Sequence, residues 1–187
     1  MEPRVIETSR LRLEPAGELH DDDLWPAVEK SLPELRPYMS WAVGATRATV
    51  ADHLRRCELG WQTDAAWEFV MVHEGEVVGT VGLNNVNPTW RSANLGYWLR
   101  SDLAGRGLTT EAAAAVVGFA YSATGTHRIE ICAAIDNRPS WRIAEKLGFE
   151  REGILRAGYW VGDAPLDVYM YSLLKTDPRP WASGRNS

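Results

Sequence analysis

Leu99-Arg100-Ser101-Asp102-Leu103-Ala104-Gly105-Arg106-Gly107-Leu108-Thr109-Thr110-Glu111-Ala112 is the stretch that decides how this chain folds. The preceding Leu95-Gly96-Tyr97-Trp98-Leu99 reads as a strand whose inner glycine signals a bulge or a close backbone approach. Two glycines two apart follow, and an alanine-rich helix, expected over Thr109 to Ser122, begins at once. Glycine lets backbone N–H groups turn toward a ligand without a Cβ in the way. The helix N-terminus adds unpaired donors and partial positive charge. Together they form a cradle suited to a pyrophosphate, although the same spelling also serves a tight strand–helix turn with no ligand. Two nucleotide motifs are excluded. A P-loop needs Lys-Ser or Lys-Thr after the glycines, and Thr110 stands where a dinucleotide fingerprint needs its third glycine.

Upstream of this turn, the alternation Arg10-Leu11-Arg12-Leu13-Glu14 predicts a half-buried first strand, ended by Pro15-Ala16-Gly17. Helices are expected over about Asp21 to Ser31 and Thr46 to Trp61, with the proline-broken aromatic loop Leu35-Arg36-Pro37-Tyr38-Met39-Ser40-Trp41 between them. Trp67 to Val72 and Val77 to Leu83 form a hairpin around His73-Glu74-Gly75-Glu76. Downstream come a strand, Arg128 to Ile135, and a helix, Pro139 to Leu147, stopped by Gly148. Two final strands run near Phe149 to Gly158 and Leu166 to Leu174. The order gives an α/β domain over residues 1–175, a mixed sheet with helices on its faces, and a polar, breaker-rich tail over 176–187 that is expected to fray.

Composition narrows the partners. The chain has 187 residues, 45% hydrophobic and 24% charged, which fits a single soluble domain with an ordinary core. A net charge of −5 disfavours a grip on nucleic acid phosphates. The longest apolar run, Ala112 to Tyr121, is too short to cross a bilayer, and the charged start carries no apolar signal core. Two cysteines, Cys57 and Cys132, make no disulfide framework, so a reduced cytoplasmic setting is expected. Some of the nine tryptophans are expected to line a concave site.

A second segment, Asp136-Asn137-Arg138-Pro139-Ser140-Trp141-Arg142-Ile143-Ala144-Glu145-Lys146-Leu147-Gly148-Phe149, places Asn137 and Ser140 at the mouth of a helix, beside the carboxyl end of a strand. Taken alone these residues serve equally as a helix cap. Taken with the Gly-x-Gly turn they resemble the GNAT superfamily of N-acetyltransferases, whose signature is strand, Gly-x-Gly turn and helix. The chain is similar to its RimJ/RimL-type branch in Leu35 to Trp41, Gly96 to Leu99, Gly105 to Ala112, Asn137 to Ser140 and Glu145 to Phe149. These five segments occur in order and the resemblance spans about residues 8 to 175. One departure is Asp102, where the superfamily often has Gln or Arg.

The resemblance implies a GNAT fold, with a mostly antiparallel sheet of about seven strands and about four helices. It implies acetyl-CoA, or another acyl-CoA, as co-substrate, with no metal. The backbone of Leu99 and the amides of Gly105, Arg106, Gly107, Leu108, Thr109 and Thr110 would hold the pantetheine arm and pyrophosphate. Asn137 would bind the pantetheine amide, Ser140 would sit near the thioester sulfur, and Arg106 and Arg142 would meet phosphates. The acceptor loops would be Tyr38 to Trp41 and the segment around Trp160, with Trp61 and Trp90 as walls. The partners implied are acyl-CoA and an amine acceptor, with a homodimer as the assembly. A non-catalytic acyl-CoA sensor is the reading from a different class.

Transfer would proceed by direct attack of a neutral amine on the thioester, much of the rate coming from placement. Ser140 could pass a proton to the departing thiolate. Glu68 shares a side of its strand with Val70 and Val72, and Glu130 a side with Cys132; either could serve as base. The tyrosine acid of many superfamily members is missing a few residues past Asn137, where Trp141 and Ile143 stand. With no strong base in view, an α-amine is the easier acceptor. At pH 7 roughly one α-amine in eight is neutral against about one lysine in 2,500, a difference on the order of 3.5 kcal/mol. That favours a protein N-terminus over a lysine and agrees with the resemblance, which implies N-terminal amines of ribosomal proteins; acetylation or succinylation of a small amine is the runner-up. His53 and Cys57, four apart on a helix, are a weak metal pair, and Cys132 has no positioned histidine for nucleophilic work.

Overall fold

Alternating apolar residues give the sheet its two faces, and each face carries its own pair of helices. The computed structural model describes residues 1–181. The elements are β1 (Ile6–Glu7), β2 (Arg12–Pro15), α1 (Asp21–Leu35), α2 (Arg47–Thr63), β3 (Trp67–His73), β4 (Glu76–Asn87), β5 (Ser92–Leu99), α3 (Leu108–Ala123), β6 (Arg128–Ala134), α4 (Arg138–Lys146), β7 (Glu150–Val161) and β8 (Ala164–Leu174). The sheet has eight strands in the order β1-β2-β3-β4-β5-β6-β8-β7. The strand beyond the expected seven is β1, two residues long and set against β2. It is too short to leave an alternation in the sequence.

On one face Phe69, Met71, Val81, Leu83, Leu95, Ile129 and Ile131 pack with the buried side of α3, including Ala112, Ala113, Val116 and Val117. On the other, Val70, Val77 and Trp98 pack with Leu24, Val28, Leu54 and Cys57 of α1 and α2. Each fully buried side chain of this size contributes roughly 1.5–3 kcal/mol. That burial carries α1 through Pro33 to Leu35, past the expected end near Ser31, because Leu32 and Leu35 are both buried. Local chemistry sets the other ends. Thr46 and Thr49 form a reciprocal capping box on α2, and Gly107 enters α3 at φ 80°.

All pairings are antiparallel except β5 with β6, which run parallel. Their register covers only Ser92↔Arg128, Ala93↔Ile129 and Asn94↔Glu130. Beyond Asn94, β5 stays with β4 as far as Leu99 while β6 stays with β8. The two strands therefore fork, and the fork lies beside the Gly-x-Gly turn. Of the expected tail, Trp181 packs against the α3 side of the core and donates from its indole to the Leu147 carbonyl at 3.3 Å. Residues 182–187 lie outside the described residues.

Candidate active site

A groove of about 490 Å³ opens at the fork. Its lining includes Tyr38, Leu99, Gly105, Gly107, Thr109, Thr110, Asn137, Ser140 and Arg142, so the structure brings nine residues of the sequence reading together. Met39, Tyr97, Trp98 and Ile143 complete much of the wall.

The cradle follows from two local conformations. Gly105 and Gly107 both hold left-handed backbone, φ 79° and 80°, where a side chain costs about 1–2 kcal/mol. α3 then starts without a side-chain cap. The N–H groups of Leu108, Thr109 and Thr110, within the first turn, have no intrahelical acceptor, and Glu111 is the first to bond back, to Gly107. A Cβ at Gly105 would meet nothing within 4 Å, so the turn opens on free space. An anion such as a pyrophosphate fits these donors. Leu108 itself is buried in the core, which leaves its amide as the part that can contact a ligand. Arg106 is exposed, and its carbonyl accepts from Arg10 at 2.8 Å. Arg142 sits over Trp141 and pairs with Glu145 at 3.3 Å. Asp102 is held by Lys30 and Arg100, at 2.9 and 2.8 Å, outside the groove.

At the fork Asn137 caps α4, its Oδ1 accepting from the Ser140 N–H at 3.3 Å. This is the capping role the sequence allowed, and it leaves the side-chain amide nitrogen as a donor. Ser140 Oγ donates to the Tyr97 hydroxyl at 3.4 Å, and that hydroxyl donates to the Ser140 carbonyl at 3.0 Å. Burial pushes the Tyr97 phenol up to about 12, so it stays protonated. Sequence reasoning looked for a tyrosine after Asn137 and missed Tyr97. The quoted Gly96-Tyr97-Trp98-Leu99 segment held it, but only the fold brings β5 against α4.

Glu68 does not line the groove. It lies on β3, on the sheet face that carries Val70 and Trp98. Burial of its carboxyl pushes its pKa up to about 7, with a hydrogen bond from Asn84 pulling the other way. Glu130 is engaged by Arg128 Nε at 2.8 Å, and Arg128 also clasps Glu152. That pairing occupies the Glu130 carboxylate.

Trp41 packs with its ring tilted, at 5.8 Å between centroids, against Trp98, which does line the groove. The adjoining Ser40 bonds through its N–H and hydroxyl to the Tyr159 hydroxyl, at 3.2 and 2.8 Å, tying the Tyr38–Trp41 loop to β7. Trp160 beside it is 54% exposed and outside the groove. Trp61 corrects the expectation of a wall. It is buried in the core against Phe69 and Phe119, with its indole bonded to the Glu68 carbonyl. Trp90 is 77% exposed at the β4–β5 turn and lines nothing here. His53 and Cys57 are in contact at 3.5 Å, and no group of three or more metal-ligating side chains occurs among the described residues.

Residues 10–150 match the acetyltransferase (GNAT) domain family. The chain is 30% identical over 179 residues to the uncharacterized N-acetyltransferase p20 of Bacillus licheniformis, covering 92% of this chain and 97% of that protein. It is 27% identical over 167 residues to the ribosomal-protein-serine acetyltransferase of Escherichia coli (strain K12), covering 87% and 91%. A shorter match, 33% identical over 107 residues, spans 57% of this chain and 58% of the Bacillus subtilis (strain 168) protein YdaF. Among solved structures, Mycobacterium smegmatis RimJ in complex with CoA-disulfide superposes with a TM-score of 0.86 at 24% identity, covering 99% of this chain and 98% of that one.

Proposed function

The chain belongs to the GNAT acetyltransferase family and is an acetyl-CoA-dependent N-acetyltransferase; we propose that its acceptor is the α-amine of a protein N-terminus, of the kind ribosomal proteins present. The observation that carries this reading is Glu68, a carboxyl raised to about 7 on the same sheet face as Trp98 and its partner Trp41. Moving a proton to such a group from an α-ammonium of pKa 7.7–8.0 costs about 1 kcal/mol. From a lysine ammonium near 10.4 it costs about 4–5 kcal/mol. A base of this strength therefore suits α-amines. The name of the E. coli relative, a ribosomal-protein-serine acetyltransferase, supports the same class.

In this reading acetyl-CoA lies along the groove, its pyrophosphate on the amides of Leu108 to Thr110 and its thioester in the fork near Ser140. Asn137 offers its free amide N–H₂ to the pantetheine arm, and Arg106 and Arg142 stand at the rim for phosphates. The acceptor enters past Tyr38, Trp41 and the Trp160 end of β7. Glu68 takes one proton from the ammonium, the neutral nitrogen attacks the thioester carbon, and the C–S bond breaks. The nitrogen gives up its second proton as the amide forms, and the departing thiolate takes one through the Ser140–Tyr97 hydroxyl pair, which the released proton restores by way of water. Rate comes mainly from holding amine and thioester together. Cytoplasmic residence belongs to the same proposal, and no helix among the described residues is long and apolar enough to cross a membrane.

The test is mass spectrometry of an acceptor panel incubated with acetyl-CoA and, separately, succinyl-CoA. The panel holds peptides with free and blocked N-termini, polyamines and aminoglycosides. Acetylation confined to free N-terminal peptides is expected. Acylation of small amines alone, or of blocked peptides at lysine, overturns the acceptor assignment; a preference for succinyl-CoA overturns the donor.

A further inference from the structure

The face between Glu68 and the fork carries polar side chains and glycines that acetyl transfer, as described, leaves unused. Glu68, Gly82 and Gly96 stand in register across β3, β4 and β5, and one pair along, Asn84 faces Asn94. Asn84 Nδ2 donates to Glu68 Oε1 at 3.4 Å, and Asn94 Nδ2 donates to Asn84 Oδ1 at 3.1 Å. A carboxylate accepts only, so the amide nitrogen of Asn84 must face it, and its oxygen is then left for Asn94. Asn94 pairs with Glu130 at the last rung before β5 and β6 part. The chain of amides thus runs from the carboxyl to the point where the fork opens.

The glycines are there for space. Neither Gly82 nor Gly96 has the positive φ that demands glycine. A Cβ at Gly82 would stand 2.4 Å from Glu68 Oε2, and one at Gly96 would lie 3.1 Å from Asn84 Nδ2 and touch nothing else. Along β5 on this face the order is Asn94, Gly96, Trp98, so the bare floor lies between the amide pair and the Trp98–Trp41 wall.

We propose that Asn84 and Asn94 are positioning residues for Glu68, that Gly82 makes room for its carboxyl, and that Gly96 floors a trough along which the acceptor amine reaches it. The inference rests on Glu68 being the base. In the step itself one ammonium N–H bond breaks and its proton joins Oε2, directly or through one water, leaving the nitrogen lone pair free and Glu68 neutral. Oε1 stays on Asn84 throughout. The titratable groups facing Glu68 come from α2: Cys57, whose thiol burial pushes up to about 12, and His53 behind it, lowered by burial. On this face β4 and β5 bring Thr80, Gly82, Asn84, Asn94, Gly96 and Trp98, none of them charged, and Glu130 beyond them is paired with Arg128.

The experiment follows Glu68 by carbon-13 carboxyl NMR and, in parallel, the pH profile of kcat/KM with acetyl-CoA and a peptide bearing a free N-terminal serine. In Asn84→Ala the carboxylate loses its donor, so both the NMR titration and the acid limb of the profile move up together. At pH below the limb the rate falls about tenfold, the scale of one hydrogen bond to a charged group. Asn94→Ala, which keeps the direct bond, shifts both the same way by less and guards against a folding defect in the first variant. Gly96→Val raises KM for the peptide about tenfold with KM for acetyl-CoA unchanged. A slower Asn84→Ala whose titration and acid limb stay put would make Asn84 merely structural and overturn the positioning role. An unchanged peptide KM in Gly96→Val overturns the trough. An unaltered acid limb in Glu68→Gln instead removes Glu68 as base, and the positioning role with it.

Discussion

Replacing Glu68 by glutamine should make the domain more stable at pH 8 than at pH 4.5, relative to wild type, and the size of that change follows from the burial of one carboxyl. In the unfolded chain Glu68 titrates at the ordinary 4.5, and in the fold burial raises it to about 7. Between those values the native state binds more protons than the unfolded state, so wild-type stability falls as pH rises. Below the window the group is neutral in both states and costs nothing extra. Above it the full penalty stands, about 3 kcal/mol for a shift of this size. Glutamine is an isostere that cannot ionise. It keeps an acceptor for Asn84, and its other effects are independent of pH, so they shift the whole curve without tilting it. The assay is urea unfolding of both proteins at half-unit steps from pH 4.5 to 8. The difference, variant minus wild type, should climb by about 3 kcal/mol, a gain in Tm on the order of 6–12 °C for a domain of this size. A flat difference curve would mean that Glu68 ionises as it does in water. The choice of Glu68 as a base matched to α-amines would then lose its physical ground.

Three further outcomes are expected. Ser140→Ala should lower kcat about 10²-fold, with KM for acetyl-CoA nearly unchanged, as read by the release of free CoA thiol; an unaltered kcat would leave Ser140 as a cap only. Gly107→Ala should weaken CoA binding about tenfold by calorimetry, because alanine at φ 80° costs about 1–2 kcal/mol, while its Cβ would meet only an ordinary contact with Arg10 at 3.6 Å. At Glu111 burial works against ionisation, but hydrogen bonds from Thr8, Ser9 and Arg10 prevail and hold the carboxyl near 2. Its folded pKa lies below the unfolded value, so its stabilisation is present above 4.5 and lost as pH falls toward 2. Glu111→Ala should therefore lower Tm by several degrees at pH 7 and by less than half as much at pH 3, followed by circular dichroism.

What the sequence disclosed was whatever short-range chemistry writes in place. The Gly-x-Gly turn needs two positive φ values within three residues, and glycine is the residue that supplies them. α4 is bracketed by Asn137, Pro139 and Gly148, all local signals. Glu68 was placed on the right side of its strand by alternation alone. Its neighbours were not legible, because Asn84 and Gly82 meet it only through the β3–β4 register, which a bulge near Met71 and Val72 displaces. Tyr97 illustrates the same limit, since its bond to Ser140 joins residues 43 apart. Trp61 was misread because a tryptophan on an amphipathic helix looks the same whether it lines a cleft or fills a core.

With Glu68 as base and the Ser140–Tyr97 pair as acid, as proposed, the sheet explains how one small domain keeps the two from quenching each other. Along β5 successive side chains point to opposite faces, so Tyr97 meets α4 on one side while Gly96 and Trp98 face α1 and α2 on the other. Glu68, at about 7, lies on the second face, and the Ser140–Tyr97 pair, with its phenol at about 12, on the first. Were the phenol beside the carboxyl, it would donate to it, lower its affinity for a proton and occupy the position the ammonium must take. With the sheet between them, burial sets each group separately. This is the pairing of divergent environments by which acid and base roles are assigned. The fork is where the barrier opens, since β5 and β6 pair at only three positions. The groove there is lined from both sides, by Tyr38 and Trp98 as well as Tyr97 and Ser140. In the proposed reaction an amine that loses its proton on one face therefore meets, through the fork, a thioester whose sulfur is protonated from the other.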